Sequence, residues 1–143
     1  MLMIIRPMTD QDIPEVLHIG LEVEGFRVSE NPEDYFWSEA QLRRWVASED
    51  VLLVAESDDK VVGFVLTAHH RPTGKVTWEN QVVLPEYRGQ GIAKALIVEM
   101  EKRLKDQGAT YLHFLTKTDN PHLDYYKKSF EPGHTFVWFG KHL

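Results

Sequence analysis

The chain has 143 residues, of which 43% are hydrophobic, 27% are charged and 11% are aromatic. This length and apolar content predict one globular domain over residues 1–143 and exclude an intrinsically disordered chain. With 16 Lys and Arg against 22 Asp and Glu, the net charge of -6 gives no broad basic surface, so we expect no nucleic-acid partner. The absence of cysteine excludes disulfides, thiolate metal sites and a Cys nucleophile.

The apolar run at the N-terminus stops after five residues, at Arg6. A secretory signal needs a longer apolar region behind a basic start. The other apolar runs are far shorter than the roughly 18 residues that span a membrane. We therefore expect a cytoplasmic protein with no membrane partner.

Hydrophobic periodicity and turn residues predict ten elements in the order β-α-α-β-β-β-α-β-α-β. Two helix starts carry capping patterns, Thr9 with Asp12 and Ser38 with Gln41. In chain order, the predicted elements are strand 3–6, helix 10–23, a short helix after Ser38, strands 51–56, 60–69 and 75–84, a long helix from Ile92 to just before Gly108, strand 111–116, helix 121–128 and strand 134–139. Meander strands followed by a β-α-β crossover predict an α/β (α+β) fold with a mixed sheet of about six strands and helices on both faces.

The most informative segment is the glycine-rich turn between strand 75–84 and the long helix. The first N–H groups of a helix have no intrahelical partner, and together with the helix dipole they attract an anion such as a pyrophosphate. Gly89 and Gly91 would let the backbone approach that anion closely, and Arg88 and Lys94 would add positive charge. The alternative interpretation is a plain strand-to-helix turn that uses glycine for its geometry.

Two familiar nucleotide motifs do not match this turn. A dinucleotide-binding GxGxxG motif would need glycine where Lys94 stands, and a Walker P-loop needs Ser or Thr where Ala95 follows that lysine. The turn instead resembles the Q/R-x-x-G-x-G/A motif of the GCN5-related N-acetyltransferase (GNAT) family. The matching residues are Arg88, Gly89, Gln90, Gly91, Ile92 and Ala93. The preceding strand and the order of the elements are also similar, so the resemblance covers nearly the whole chain and implies a mostly antiparallel GNAT-like sheet.

The resemblance implies that acetyl-CoA is the co-substrate. Its pyrophosphate would lie on the turn from Arg88 to Lys94, and its pantetheine arm would lie in a gap between strands 75–84 and 111–116. That arm would pair with the first of these strands as an added strand does, beside Val82, Val83 and Leu84. Asn120 would hydrogen-bond the pantetheine or cap the helix that follows it.

The resemblance also implies direct acetyl transfer to a primary amine, on a small molecule or on a lysine or N-terminus. Tyr126 takes the place of the tyrosine that protonates the leaving thiolate, with packing against the cofactor or core as the alternative. Glu79 is the candidate general base, and a solvent-facing surface residue is its alternative. Since side chains alternate along a strand, Glu79 and Asn80 can both face the pocket only if a β-bulge intervenes.

The segment between the first two helices lines the acceptor site in the family. Here it is rich in acidic and aromatic residues, which suit a cationic amine, although a solvated acidic loop is the alternative. The predicted substrate-binding residues are Phe26, Trp37, Glu79 and Asn80.

The chain departs from the family pattern after Phe130, where only 13 residues remain and Pro132 interrupts them. The terminal hairpin of the family is thus reduced to one predicted strand. A homodimer partner would complete the acceptor site, with Phe136, Trp138 and Phe139 at the interface, and burial in the protein's own core is the alternative for at least half of these residues.

Seven histidines raise the question of a metal site. His69 and His70 are adjacent on a strand and would point to opposite faces, so we expect no metal. The competing functional hypothesis is a non-catalytic acyl-CoA-binding or sensing module of the same fold. The presence of both Glu79 and Tyr126 favours the enzyme, because a pure binder needs neither.

Overall fold

The computed structural model describes residues 3–143, apart from the side chain of Glu24. A single five-stranded sheet organises these residues, with the strands side by side in chain order. The first four strands are antiparallel to their neighbours, and the fifth is parallel to the fourth. The strands are β1 (Met3–Pro7), β2 (Leu52–Ser57), β3 (Lys60–His70), β4 (Lys75–Val83) and β5 (Tyr111–His113).

Helices cover both faces of the sheet, as the sequence predicts. They are α1 (Ile13–Glu22), α2 (Pro32–Tyr35), α3 (Glu39–Ala47), α4 (Ile92–Asp106) and α5 (Leu123–Ser129). One apolar core lies between α1, α3 and the sheet and includes Val16, Leu42 and Phe64. A second core lies under α4, where Leu96 and Met100 pack against strand residues such as Val65. The mixed fold with a mostly antiparallel sheet is confirmed.

Local sequence signals account for several element boundaries. Ser38 and Gln41 form the predicted capping box, in which the Gln41 N–H donates to Ser38 Oγ and the Ser38 N–H donates to Gln41 Oε1. Asp58 and Asp59 both have positive φ angles, as a two-residue turn between antiparallel strands requires. The β2–β3 hairpin therefore turns where its acidic residues predict.

Several predicted elements differ from the structure. Helix 10–23 is split into a 3-10 turn, Asp10–Asp12, and α1, and β5 ends at His113 instead of residue 116. The segment between the first two predicted helices contains a further 3-10 turn, Glu24–Phe26, and the short helix α2. Helix α2 begins after Asn31, whose side chain accepts a hydrogen bond from the Glu33 N–H, a capping signal that the sequence analysis missed.

The predicted strand 134–139 is wrong, because residues 130–143 form no helix or strand. The sheet therefore has five strands instead of about six. A strand needs a neighbouring backbone along its length, and β5 spans only three residues. The tail leaves Phe136, Trp138 and Phe139 exposed at 71%, 66% and 89%. Within residues 3–143, no helix is long and apolar enough to cross a membrane.

Gly20 on α1 is expected to tolerate no side chain, because a Cβ there would overlap the ring of Phe36, which is buried. We expect Gly20→Ala to lower the free energy of unfolding by about 1–3 kcal/mol, the usual effect of overpacking a core. Thermal unfolding measures this loss. Gly25→Ala is the control, since its Cβ would meet nothing closer than 3.9 Å. Equal stability of the two variants would show that Phe36 moves aside freely.

Candidate active site

The centre of β4 carries a β-bulge at Glu79. In the register with β3, Asn80 pairs with Leu66 and Trp78 pairs with Thr67, so Glu79 is an extra residue with no partner. The bulge turns Trp78 toward the α4 core and leaves Asn80 facing the α1–α3 side, where it contacts Trp37. The bulge interrupts the alternation of side chains along β4, which is the condition for Glu79 and Asn80 to face one site.

Two tryptophans outside the sheet hold this bulge. The Trp37 Nε1–H donates to Asn80 Oδ1 at 2.8 Å, and the Trp45 Nε1–H donates to the Thr67 carbonyl at 3.1 Å. The two indoles also pack edge to face, with ring centroids 5.0 Å apart. The connection between α2 and α3 is therefore fixed to the bulge by specific hydrogen bonds.

Strands β4 and β5 part just beside the bulge. Their pairing ends where Thr77 meets His113, whereas β4 continues to Val83. The Leu84 N–H donates to the Val62 carbonyl, so the backbone of Leu84 points toward β3. Every second residue of an antiparallel strand points the same way, so the backbone groups of Val82 also face β3. The backbone groups of Gln81 and Val83 point to the edge of β4 that β5 leaves uncovered. The predicted gap between the strands is present, but the Leu84 amide is already used.

The open edge of β4 leads directly into the glycine turn. Gly89 and Gly91 have φ angles of 77° and 82°, a left-handed conformation that favours glycine, and a Cβ on either would meet no atom within 4 Å. The first helical bond of α4 runs from the Ala95 N–H to the Gly91 carbonyl. The N–H groups of Ile92, Ala93 and Lys94 therefore have no partner within the helix and are the predicted anion-binding donors.

Side chains brace this turn against β4. The Arg88 Nε–H donates to the Val83 carbonyl at 2.9 Å, and Gln81 Nε2 donates to the Ala93 carbonyl at 3.2 Å. Arg88 thus has a structural contact that the sequence analysis, which assigned it only to the phosphate, did not foresee. Gln90 and Lys94 are exposed on the same turn.

Tyr126 on α5 lies across the gap between the strands. Its ring packs against Phe114, just beyond β5, at a centroid distance of 5.0 Å, and against Trp78 of β4 at 6.5 Å. Burial of the phenol, with a smaller contribution from Tyr125, raises the pKa of Tyr126 above its usual 10.0. The hydroxyl therefore keeps its proton at neutral pH and can act as a donor.

The Glu79 carboxyl lies at the bulge itself. The residue is exposed overall, yet the protein around its carboxyl displaces enough water for this desolvation to raise the pKa of Glu79 above 4.5. A higher pKa makes a carboxylate a stronger base.

Asn120 makes local hydrogen bonds, and it is not the N-cap of α5, a position that His122 occupies without a side-chain hydrogen bond. Its Oδ1 accepts from the His122 N–H at 2.8 Å, just ahead of α5, and its Nδ2 donates to Thr116 Oγ1 at 2.6 Å. These bonds fix the approach of the chain to the helix that carries Tyr126.

The acceptor-side segment is only partly available to a ligand. The Phe26 ring stacks on Phe36 at 5.9 Å and belongs to the border of the α1–α3 core. Asp34 accepts hydrogen bonds from Ser29 Oγ and from His142 Nε2 of the C-terminal tail, and these bonds lower the pKa of Asp34. Of the predicted acceptor residues, Trp37 and Asn80 are in contact, and Glu79 is the bulged residue that precedes Asn80.

Comparison with known proteins agrees with this geometry. The model of the acetyltransferase (GNAT) family matches residues 17–130. The chain belongs to the GNAT family. A GNAT relative, an acetyltransferase of Pectobacterium atrosepticum, is 32% identical over 87 residues, which are 59% of this chain and 60% of the relative. The match thus spans less than two thirds of that relative's length.

Solved structures share the GNAT fold with the chain. An aminoglycoside acetyltransferase from an uncultured soil metagenomic sample superimposes with a TM-score of 0.77 at 18% identity, covering 100% of both chains. The PaiA N-acetyltransferase of Thermoplasma acidophilum, in complex with coenzyme A, gives a TM-score of 0.74 at 21% identity over 90% of this chain and 89% of its own. At these identities the agreement concerns the fold alone.

Metal chemistry has no support within the described part of this GNAT domain. No group of three or more His, Asp or Glu side chains is placed to hold a metal ion there. His69 contacts Gln107 and His70 contacts Thr73, so the two histidines diverge.

Proposed function

We propose that this GNAT protein is an acetyl-CoA-dependent N-acetyltransferase that transfers an acetyl group directly to a primary amine. The observation that carries the proposal is the continuity of three features: the uncovered edge of β4, the glycine turn and the free N–H groups at the start of α4. Together they form a path that suits an extended chain ending in a pyrophosphate. Coenzyme A has that shape and charge.

The residues present fit this co-substrate. The backbone groups of Gln81 point to the uncovered edge and can pair with the amides of the pantetheine arm, whereas the Val83 carbonyl already accepts from Arg88 and only the Val83 N–H is available. The N–H groups of Ile92, Ala93 and Lys94 would hold the pyrophosphate, and the open space beside Gly89 and Gly91 admits it. When bound there, acetyl-CoA supplies an activated thioester.

Two side chains handle the protons of the transfer. Glu79 removes a proton from the bound ammonium, directly or through a water, which frees the nitrogen lone pair for attack on the acetyl carbonyl. The Val83 N–H donates to the carbonyl oxygen as negative charge develops on it. Tyr126 Oη donates its proton to the departing sulfur and regains one from the attacking nitrogen as the amide forms, so a neutral amide and a neutral thiol leave. The proton on Glu79 passes to solvent.

The acceptor is a primary amine, of a small molecule or of a lysine or N-terminus. The aminoglycoside acetyltransferase that shares the fold acts, by its name, on aminoglycosides. In this chain Glu79 supplies negative charge at the bulge, and Trp37 supplies an aromatic surface beside it, a combination that suits a cation.

The alternative function is a non-catalytic acyl-CoA-binding or sensing module. It would need the glycine turn but neither a carboxylate at the bulge nor a phenol across the gap. The raised pKa values of Glu79 and Tyr126 fit their proposed proton-transfer roles, which favours catalysis. The homodimer expected from Phe136, Trp138 and Phe139 stays a prediction, which size-exclusion chromatography with light scattering would test.

Thermal unfolding with acetyl-CoA tests the co-substrate. Acetyl-CoA at 100 times its Kd should add roughly 2.7 kcal/mol to the stability of the folded protein and raise Tm by several degrees, whereas NAD and ATP should not. Gly91→Val should abolish the shift, because a branched side chain opposes the left-handed φ and occupies the anion's space. Gly133→Val, beyond the site, is the matched control. No shift for the unmodified protein at millimolar acetyl-CoA would overturn the proposed function.

A further inference from the structure

The side-chain amide of Asn80 has a fixed orientation. Its partner, the Trp37 indole N–H, can only donate a hydrogen bond, so the amide atom facing it at 2.8 Å is the oxygen. The amide nitrogen, Nδ2, therefore points away from Trp37. An asparagine held by one donor-only partner in this way presents its two N–H groups in a single direction.

No described residue accepts a hydrogen bond from Asn80 Nδ2. Asn80 is only 9% exposed, yet Ser57 Oγ is the single fully buried side-chain polar atom without a partner in residues 3–143. Asn80 Nδ2 therefore keeps access to the space outside the protein. A donor in such a restricted position gains most from a ligand that supplies an oxygen.

This donor lies beside the proposed general base. Asn80 directly follows Glu79, so their Cα atoms are about 3.8 Å apart. The bulge frees the two residues from the strict alternation of a strand, as described above. Both side chains therefore extend from one point of β4, and an amine bound there by the Glu79 carboxylate would be within reach of Asn80 Nδ2.

We infer that Asn80 is a specificity-determining residue that selects amines with a carbonyl group on the adjacent carbon, such as α-amino amides and peptide N-termini. This inference rests on the proposed function. In an α-amino amide the nitrogen and the carbonyl oxygen are separated by two carbons, so Glu79 and Asn80 can bind them together. A simple alkylamine, or the ε-amine of lysine, has no oxygen there and leaves Nδ2 without a partner, which disfavours it. Trp37 is a positioning residue, because it holds the amide in the selective orientation.

The test compares two amines of similar shape, L-alaninamide and 3-methyl-2-butanamine. The measured quantity is the ratio of their kcat/KM values in the unmodified protein and in each variant, since comparing ratios between variants cancels the different acidities of the amines. Asn80→Asp keeps an oxygen for Trp37 but removes the donor, and it should lower the preference for alaninamide about tenfold. Trp37→Phe keeps an aromatic ring but lets the Asn80 side-chain amide rotate so that its oxygen and nitrogen exchange places. It should lower the preference for alaninamide about threefold.

Tyr111→Phe is the control, because this exposed tyrosine pairs with Lys75, at the end of β4 away from the site, and it should leave the ratio unchanged. A ratio that is the same in the unmodified protein, Asn80→Asp and Trp37→Phe would overturn the inference while leaving the acetyltransferase proposal intact. Failure of the proposed function is recognised separately, by the absence of an acetyl-CoA thermal shift, and would remove the inference with it. Thermal unfolding of each variant shows whether it is folded. If Asn80→Asp does not fold, the kcat/KM ratio of Trp37→Phe tests the inference.

Discussion

Glu79→Gln is expected to lower kcat/KM for an amine acceptor about 100-fold at pH 7, the scale of a lost general base. Glutamine keeps the shape of the side chain at the bulge but cannot take a proton from the bound ammonium. Acceptor molecules that are already unprotonated can still react, so the variant should become faster as the solution pH approaches the amine's own pKa. Its deficit is therefore largest near neutral pH and shrinks toward pH 10.

The pH profile of the unmodified protein gives an independent check. Desolvation raises the pKa of Glu79, so the carboxylate gains its proton at a higher pH than an ordinary glutamate does as the solution is acidified. The acid limb of kcat/KM in the unmodified protein should accordingly lie above pH 4.5, whereas the rate of Glu79→Gln should follow only the ionisation of the amine itself. Glu22→Gln, on the exposed end of α1, is the matched control and should behave as the unmodified protein. If Glu79→Gln keeps the original profile and rate, the base is another group.

Tyr126→Phe is expected to lower kcat about 100-fold, with little change in the affinity for acetyl-CoA. The phenylalanine ring preserves the packing against Trp78 and Phe114, so the loss reports the hydroxyl alone. Since burial raises the pKa of Tyr126, its hydroxyl is protonated across the pH range of an ordinary assay. The deficit of this variant should therefore stay constant from pH 6 to about pH 9, unlike that of Glu79→Gln.

The neighbouring tyrosine supplies the control for this substitution. Tyr125 is 49% exposed, and it lies on the same helix one residue earlier. Tyr125→Phe should retain nearly full activity. Equal activity of the two variants would assign Tyr126 a packing role and leave the departing thiolate to be protonated by solvent. Steady-state kinetics with acetyl-CoA and a reactive amine measure both.

The geometry of the glycine turn can be predicted from local sequence alone. Positive φ at Gly89 and Gly91, and the unpaired N–H groups that follow, are properties of a few consecutive residues. A strand, two glycines and an amphipathic helix in that order therefore predict both the geometry of the turn and its preference for an anion. The same holds for the Ser38–Gln41 capping box and the Asp58–Asp59 turn, whose hydrogen bonds and dihedral angles are local.

The bulge at Glu79 is different, because it depends on register between strands. The alternation of side chains along a strand implies that Glu79 and Asn80 need a bulge to face one site. No local pattern within residues 75–84 indicates which residue is the extra one. The shift is visible only where Thr67 pairs with Trp78 and Leu66 pairs with Asn80. The indoles that brace it come from residues distant in sequence: Trp37 lies 43 residues from Asn80, and Trp45 of α3 lies 22 residues from Thr67.

For the C-terminal tail, the sequence predicts a strand that the structure does not contain. Its β-branched and aromatic residues predict a strand, but strand formation requires a partner backbone, and propensity alone does not provide one. In the structure the tail instead ends near α2, where His142 binds Asp34. That contact joins residues 108 positions apart in sequence, and no local pattern indicates it.

The sequence by itself determined the fold class, the order of most elements, the glycine turn and the resemblance to the GNAT family, because each depends on neighbouring residues and their periodicity. The tertiary structure decided the number of strands, the gap between β4 and β5, the bulge, and which side chains meet there. These features arise from pairing and packing between segments that are distant in sequence. The Tyr126 ring lies beside β4 because it packs against Phe114 and Trp78. The side-chain amide of Asn80 has a defined orientation because Trp37 donates to its oxygen.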